Sequence, residues 1–397
     1  MADPRSYPGR HASSILVHLA TLMQLAPLST RPMPTSDHPS TPPILPADWP
    51  AADSSPPPAT EAAIRRAAAL LAAGGLVAIP TETVYGLAAV ADDPRAVAAI
   101  YEAKGRPPEN PLIVHVANAT VARELVTAFP PSAERIAAAF WPGPVTIVLP
   151  KSPRVPDIVT AGGPTVALRC PAHRVTRRLL ELLGRPIAAP SGNRSGCLSP
   201  TTAAHVAESL GGRIDLVLDG GRCDRGIEST VIDLCGPVAT ILRPGPVSAA
   251  DLAATLGEAV RARGEPGDTA VLRSPGLLAR HYAPRAKLVL GDGGTGITTT
   301  IQQWLAAGER VGWITRGLPA GPTTAFAAGD EPRLRVAVLP DEPEGFARDL
   351  YACLHDLDAA GVDRIVVDPL PDDESWQAVA DRLGRATEVP RGGSPGR

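Results

Sequence analysis

The sequence has 397 residues and a formal net charge of −3, with 38 Lys and Arg residues against 41 Asp and Glu residues. This length suits two domains, and a hydrophobic content of 44% is ample for buried cores. Aromatic residues make up only 4%, so the cores must be packed mainly with aliphatic side chains. The negative charge argues against a large surface for binding a polyanion, although it allows a local basic pocket.

The cysteines favour a reducing compartment. They form no C-x-x-C pair and are odd in number, so we expect neither a disulfide framework nor a zinc site. No apolar run approaches the ~18 residues needed to span a bilayer. We therefore expect a cytoplasmic protein that does not contact a membrane. The cysteines are Cys170, Cys197, Cys223, Cys235 and Cys353.

Residues 1–58 are rich in Pro, Ser and Thr and show little periodicity, which predicts a disordered N-terminal extension. An apolar stretch at 14–26 follows two arginines and resembles a weak targeting signal without a convincing cleavage site. Three readings stay open: a genuine extension, a targeting segment, and a misassigned start with Met23 or Met33 as the first residue.

The first globular unit is predicted over residues 59–260. It opens with an Ala- and Leu-rich helix from Thr60 that ends at a pair of glycines. Apolar runs of strand length then alternate with helical stretches, which predicts an α/β fold around a twisted, mixed sheet. The strands are predicted at 76–79, 111–116, 145–150, 165–170, 186–190, 214–220, 229–234 and 239–245. Helices between them are predicted at 94–103, 133–140, 175–183 and 202–210.

A linker is predicted over 261–285, with the segment SPGLLARHYAP at 274–284. Strands and helices alternate again over 286–390, which predicts a smaller, Rossmann-like parallel α/β domain. The tail at 391–397 is predicted to be disordered. A G-x-G-x-x-G match at 291–296 follows a strand, but the acidic residue expected at the end of the next strand is missing, so no NAD site is predicted.

Polar side chains are gathered at the ends of the first strands. Thr83 lies in the turn PTETVYGL after an apolar strand, and His115 ends the following strand. Between them, Lys104 and Arg106 lie beside Asn110. Each has an ordinary structural alternative: a helix cap, a solvated turn or a buried histidine. Because ligand pockets in α/β sheets form at the carboxyl ends of strands, the group predicts a pocket for a small anionic substrate next to phosphates.

Three later blocks repeat this pattern. TVALR ends an apolar strand on an arginine, which either forms a salt bridge or binds a carboxylate bidentately. APSGNRSGCLSPT, rich in Gly and Ser, is either an ordinary loop or a cradle for phosphate before a helix. GIESTVID and LRPG again place hydroxyls and a guanidinium at strand ends. The candidate side chains are Arg169, Ser191, Asn193, Ser199, Ser229 and Arg243.

Taken in order, these blocks resemble the Sua5/YrdC/YwlC family of L-threonylcarbamoyladenylate synthases. The matching segments are PTETVYGL, KGRP with NPLIVH, WPGPVT, TVALR, APSGNRSG with SPT, GIESTV and LRPG. They cover about residues 62–259, and the linker with the following α/β unit resembles the two-domain Sua5 form. The resemblance implies a nucleotidyltransferase that joins L-threonine, bicarbonate or CO2, and ATP into threonylcarbamoyl-AMP and releases pyrophosphate. A downstream tRNA threonylcarbamoyltransferase would then use the product to form t6A.

The resemblance also implies residue roles. Lys104 and Arg106 are the catalytic candidates, with Lys104 facing the phosphates. Mg2+ is expected with ATP, without NAD or zinc, and no carboxylate can be assigned as its ligand. The linker would fold over the nucleotide as a lid. The threonine contacts would be Thr83, His115, Arg169, Ala189 and Ser229. The ATP contacts would be Arg106, Asn110, Thr165, Ser191, Asn193, Ser199, Arg243, His281 and Tyr282.

Two other functions are compatible with such a fold. A tRNA-binding module without synthase activity would use a concave basic surface, but the negative net charge and the few aromatics disfavour stable nucleic-acid binding. Carbamoyl transfer, as in hydrogenase-maturation proteins that contain this fold, uses zinc-finger cysteine pairs and an acylphosphatase region. The sequence contains neither of these two features.

Overall fold

The structure is a computed structural model. The predicted targeting stretch, the C-terminal tail and the loop of the G-x-G-x-x-G match lie wholly or mainly outside the described residues, as does most of the linker. The residues that the structure describes are 41–49, 55–262, 282–291, 295–317 and 332–387.

A large mixed sheet forms the first domain, as predicted. Its strands within the described ranges are β1 (Ile44–Pro46), β2 (Val77–Ile79), β3 (Gly86–Val90), β4 (Ile113–His115), β5 (Val145–Pro150), β6 (Thr165–Arg169), β7 (Ile187–Ala188), β8 (Leu216–Asp219), β9 (Thr230–Asp233), β10 (Thr240–Arg243) and β11 (Arg261–Ala262). Their order is β1-β8-β2-β3-β7-β4-β6-β5-β9-β10-β11. The neighbours β4 and β6 run parallel, whereas β7 is antiparallel to β3 and β4.

Helices pack against this sheet, and their ends place site residues. One helix begins after Asp93, whose carboxylate accepts hydrogen bonds from the next backbone N–H groups, and it ends at Lys104 because Gly105 adopts the left-handed conformation. The turn that carries Arg106 therefore starts at Gly105. The helices of this domain are α1 (Pro58–Ala72), α2 (Pro94–Lys104), α3 (Ala119–Glu124), α4 (Pro131–Phe140), α5 (Arg174–Leu183), α6 (Ala203–Leu210) and α7 (Ala249–Leu256).

Three segments differ from the predictions. Residues 44–46 are not disordered, because β1 pairs in parallel with β8 and extends the sheet. The turn after β2 leads into another strand, β3, and not directly into a helix; the two strands form an antiparallel hairpin. The linker was predicted to begin at 261, but β11 still belongs to the sheet, where it pairs with β10.

The second domain contains a parallel sheet, which confirms the predicted Rossmann-like arrangement. Within the described residues the order of its four strands is β12-β15-β13-β14. None of the described helices is long and apolar enough to cross a membrane. The strands are β12 (Lys287–Leu290), β13 (Val311–Arg316), β14 (Leu334–Leu339) and β15 (Arg364–Val367), and the helices are α8 (Thr295–Ala306), α9 (Pro343–Ala359) and α10 (Gln377–Ala386).

Candidate active site

The predicted polar residues meet in a narrow cavity at the carboxyl ends of two parallel strands. His115 and Arg169 are register partners in β4 and β6, so both strands end at the same edge. Thr83 reaches the cavity from the β2–β3 turn. The cavity volume is about 40 Å³. Of the predicted site residues, those that line it are Thr83, Arg106, His115, Arg169, Ala189, Ser191, Ser229, Arg243 and Tyr282.

Arg169 is buried and held at three points. Its Nη1 donates to Thr83 Oγ1 at 2.8 Å, its Nη2 to Glu82 Oε1 at 2.7 Å, and its Nε to the Gly143 carbonyl at 3.2 Å. The other oxygen of Glu82 accepts the Ala172 N–H at 3.0 Å. The salt-bridge alternative is therefore present, and Arg169 also lines the cavity, while binding of a substrate carboxylate stays a prediction.

The hydroxyls of the PTETVYGL turn fix its shape. Thr81 Oγ1 donates to the Val84 carbonyl at 2.6 Å and lies 2.9 Å from Thr83 Oγ1. Both threonines are buried. Thr81 thus holds the turn, and Thr83 is the member whose hydroxyl also contacts Arg169.

His115 presents an unsatisfied nitrogen. The residue is 2% exposed, and its Nδ1 has no hydrogen-bond partner. Burial, together with the charge of Arg169, lowers the pKa of His115 to about 3. The imidazole is therefore neutral at physiological pH, so it can accept or donate a hydrogen bond without adding to the positive charge of the cavity.

Arg106 and Asn110 form a second group. Arg106 donates from Nε to the Asn110 carbonyl at 3.0 Å and from Nη2 to the Pro111 carbonyl at 2.8 Å. Burial lowers the pKa of Arg106 to about 10, so its guanidinium stays charged at neutral pH. The side-chain amide of Asn110 is buried, and both of its polar atoms lack a partner. Such orphaned groups are costly in a fold unless a ligand satisfies them.

Lys104 does not line the cavity. Its ammonium donates to the Ser191 carbonyl at 2.6 Å and also to the Asn193 carbonyl, so it lies behind the Gly/Ser-rich loop. Burial, with a contribution from Arg106, lowers its pKa well below the ordinary value. The Asn193 side chain donates to the Cys197 carbonyl at 2.8 Å within the same loop. Lys104 thus holds the loop that carries Ser191, and its predicted contact with phosphates stays a prediction.

Ser229 and Arg243 are joined to each other. Arg243 donates from Nε to the Ser229 carbonyl and from Nη2 to Ser229 Oγ, both at 3.1 Å. Ser229 Oγ lies 2.7 Å from Thr146 Oγ1. A Cβ added at Gly245 would overlap the backbone of Ser229 and Thr230, which explains why a glycine follows the arginine in LRPG.

Ser199 contacts Glu228, whose carboxylate belongs to a residue of the cavity wall. Its Oγ donates to Glu228 Oε1 at 2.5 Å, and both residues are buried. Tyr282 lines the same wall with φ of 63°, a conformation that a tyrosine rarely adopts. The next residue, Ala283, donates its N–H to the Gly196 carbonyl at 3.0 Å, so this end of the linker lies across the Gly/Ser-rich loop. His281 lies outside the described residues.

Thr165 is not brought to the cavity. It begins β6, whereas Arg169 ends that strand, so their Cα atoms lie about 13 Å apart at ~3.3 Å per residue. It is also absent from the cavity wall. Its predicted role as an ATP contact stays a prediction.

Four important residues were not identified as site residues from the sequence. Glu82 and Glu228 stand inside the motif blocks, but their pairing with buried guanidinium groups becomes visible only in the structure. Arg382 and Tyr351 come from the second domain and bind Glu228. No local pattern singles them out. Among the described residues, no group of three or more His, Cys, Asp or Glu side chains could hold a metal ion.

The mixed sheet, the parallel second sheet and the cavity together define a two-domain, YrdC-like α/β protein. Two family models match it. One, described as telomere recombination and covering Sua5, YciO and YrdC, matches residues 69–245. The other, described as the C-terminal domain of threonylcarbamoyl-AMP synthase, matches residues 247–387.

Individual relatives match most of the chain. The threonylcarbamoyl-AMP synthase of Pyrococcus abyssi is 42% identical over 323 residues, 79% of this chain and 91% of that one. The Bacillus subtilis enzyme is 40% identical over 316 residues, 78% of this chain and 89% of that one. A crystal structure of P. abyssi Sua5 with L-threonine superposes with a TM-score of 0.77 at 40% identity and covers 87% of this chain and 97% of that chain. The chain belongs to the Sua5/YrdC family in its two-domain form, as the motif blocks indicated.

Proposed function

We propose that this chain is an L-threonylcarbamoyl-AMP synthase, which makes threonylcarbamoyl-AMP and pyrophosphate from L-threonine, bicarbonate or CO2, and ATP. Relatives named for this activity and a related structure with L-threonine support the assignment. The observation that carries it is the cavity itself. Buried Arg106 and Arg243 form no ion pair within the described residues, and they lie beside the group of Thr83, His115 and Arg169. Buried guanidinium groups in such a site call for an anionic ligand.

Threonine binds at the ends of β4 and β6. Arg169 uses three of its donors on the protein and keeps the others for the threonine carboxylate. Neutral His115 offers Nδ1 to the amine or hydroxyl of threonine. The hydroxyls of Thr83 and Ser229, with the backbone at Ala189, complete a small polar pocket.

ATP binds on the adjacent side. Arg106 and Arg243 face the triphosphate, and the amide of Asn110 gains the partners that it lacks. Mg2+ enters as part of the ATP complex. Glu228 lines the cavity, but both of its oxygens accept hydrogen bonds from protein groups, so it is not suited to act as a metal ligand.

The reaction consists of two steps. The threonine ammonium loses a proton to solvent, and the amine then attacks the carbon of CO2 or bicarbonate. An N–C bond forms as a C–O π bond opens or hydroxide leaves, and a second proton leaves the nitrogen to solvent or to that hydroxide, which gives a carbamate. A carbamate oxygen then attacks the α-phosphorus, and the bond to pyrophosphate breaks. The protein contributes position and positive charge, which supply most of the acceleration in reactions of this type.

The described end of the linker lies at the cavity. Tyr282 lines the wall, and its neighbour Ala283 is bonded to the loop below, which supports a cover that keeps water from the mixed anhydride. The product then passes to a downstream tRNA threonylcarbamoyltransferase in the cytoplasm. An RNA-binding module without synthase activity is not favoured, because the relatives are named as synthases.

Purified protein should convert MgATP, L-threonine and bicarbonate into threonylcarbamoyl-AMP, detected by mass spectrometry together with released pyrophosphate. Omission of threonine or of bicarbonate should abolish both products. If the complete mixture yields no threonylcarbamoyl-AMP while the protein is folded, the proposed function is wrong. A shift of tRNA that depends on salt, without ATP turnover, would instead support the RNA-binding alternative.

A further inference from the structure

The second domain holds in place a residue of the active-site cavity wall, Glu228. Glu228 Oε2 accepts a hydrogen bond from Arg382 Nε at 2.7 Å and another from the Tyr351 hydroxyl at 3.3 Å. Arg382 lies in α10 and is 1% exposed, and Tyr351 lies in α9. Glu228 is the carboxylate that accepts the Ser199 hydroxyl, so both its oxygens are engaged. A residue of the cavity wall is therefore held by groups from another domain.

The loop 226–229, which contains Glu228, is also contacted through its backbone. Arg382 Nη2 donates to the Glu228 carbonyl at 3.3 Å, which adds a second bond to the charged one. Gly226 has φ of 67°, and a Cβ there would overlap the Arg348 backbone in α9. His355 of the same helix lies 3.2 Å from the Ser199 carbonyl. The second domain thus contacts the loop 226–229 at Gly226 and at Glu228.

The charges in the cavity give Arg382 a specific role. Burial raises the pKa of Glu228, but the charges of Arg382 and Arg243 outweigh it and hold this pKa below its ordinary value. Glu228 is therefore a buried anion whose charge acts on two guanidinium groups. Arg382 forms the ion pair with it, at 2.7 Å, while Arg243 is bonded to Ser229. Without Arg382, the Glu228 charge would attract Arg243 and cancel part of the field that a triphosphate requires.

We propose that Arg382 is a positioning residue for the nucleotide site: it neutralises Glu228 and holds the 226–229 loop, so that Arg243 remains available to ATP. Arg382 does not line the cavity and acts through Glu228. Its ring contact with Tyr282, 5.4 Å from guanidinium carbon to ring centre, also links it to the linker. The assignment of ATP as ligand rests on the proposed function.

The first test compares Arg382→Met with the double variant E228Q/R382M. In Arg382→Met the Glu228 charge is uncompensated, so the dissociation constant for ATP, measured by calorimetry, should rise by about tenfold or more. The KM for threonine should change by less than about threefold, because Arg169 has its own partner in Glu82. A merely structural loss would weaken both substrates together.

The double variant removes both charges and should recover most of the ATP affinity. It remains informative if Arg382→Met does not fold, since it leaves no buried charge without a partner. Arg382→Lys, which keeps the charge, should lose less affinity than Arg382→Met. The proposal is overturned if Arg382→Met binds ATP like the wild type, or if the double variant folds but binds ATP about tenfold more weakly than the wild type.

Hydrogen exchange without ligand separates this inference from the proposed function. Amides of the 226–229 loop should exchange faster in Arg382→Met, even if the wild-type protein makes no threonylcarbamoyl-AMP. Arg222→Ala is the control, because it breaks an exposed ion pair with Asp349 between the same domains without touching Glu228. Unchanged exchange of the loop in Arg382→Met, or an equal increase in Arg222→Ala, would contradict a positioning role.

Discussion

The arginine residues in the cavity differ in how far their positive charge is compensated by protein contacts. Arg169 is neutralised by Glu82 and oriented by Thr83. Arg106 and Arg243 donate only to carbonyl and hydroxyl oxygens among the described residues, so they keep their full charge. A zwitterionic amino acid suits the first kind of site, and a polyanionic nucleotide suits the second.

Arg169→Lys should raise the KM for threonine by about tenfold or more, because a lysine keeps the charge but cannot form the guanidinium fork. The KM for ATP should change little. Steady-state kinetics with each substrate varied in turn would check this expectation. An equal rise for both substrates would show that Arg169 serves the site in general and does not bind the carboxylate.

Asn110→Ala should reduce kcat/KM for ATP by about tenfold, the value of a hydrogen bond to a charged group. The melting temperature should stay equal or rise, because the amide is buried without a partner. Asn118→Ala is the matched control: it removes the N-cap of α3, so it should cost about 1 kcal/mol of stability and leave ATP kinetics unchanged. Loss of stability in Asn110→Ala would contradict a ligand-binding role.

At the scale of elements, the motif blocks are held by contacts between segments far apart in the chain. The β2–β3 turn is bonded to the end of β6 through Arg169, and the loop before β9 lies against α9 of the second domain. Register between β4 and β6 then sets where His115 and Arg169 stand relative to each other.

Gly226→Ala should destabilise the protein more than Gly162→Ala. Both glycines have positive φ, so each substitution costs about 1–2 kcal/mol of backbone strain. A Cβ at Gly162 meets open space, whereas one at Gly226 overlaps the Arg348 backbone. Urea unfolding of the two variants isolates the cost of separating α9 from the loop. Equal losses of stability would show that the Arg348 backbone can move away from residue 226 at little cost.

At the scale of the whole molecule, the two domains meet through a stacked pair of histidines. The rings of His205 in α6 and His355 in α9 lie 3.9 Å apart. Burial, with the charge of His355, lowers the pKa of His205 to about 4, and burial also lowers the pKa of His355. Arg222 acts on His205 in the same direction, while Glu208, Asp356 and Asp358 oppose the shift at His355.

The free energy of unfolding should therefore fall as the pH drops from about 6.5 towards 4. In this window the unfolded chain binds a proton at His205 that the folded protein excludes, so acid favours unfolding. In His205→Gln, the difference in stability between pH 7 and pH 5, measured by urea unfolding, should be smaller than in the wild type. A larger or unchanged difference would mean that the pair does not oppose protonation.

The sequence alone indicated much of the fold and the chemical inventory of the site. Apolar runs, helix caps and glycine ends are local signals, and they located most strands and helices of both domains. They did not predict β1, whose pairing partner β8 lies far along the chain. They also missed β3, because its apolar residues follow a turn that is equally typical of a helix start.

Sequence by itself determined which hydroxyl, guanidinium and imidazole groups would stand at strand ends, because those positions follow from local patterning and ordered motif blocks. Only the tertiary structure decided which charges are neutralised and which face the cavity. Lys104 turns behind the loop, Glu82 pairs with Arg169, and Arg382 reaches Glu228 across 154 residues of chain. Such pairs form because folding buries the charges together, and burial is a property of packing that no local stretch of sequence contains.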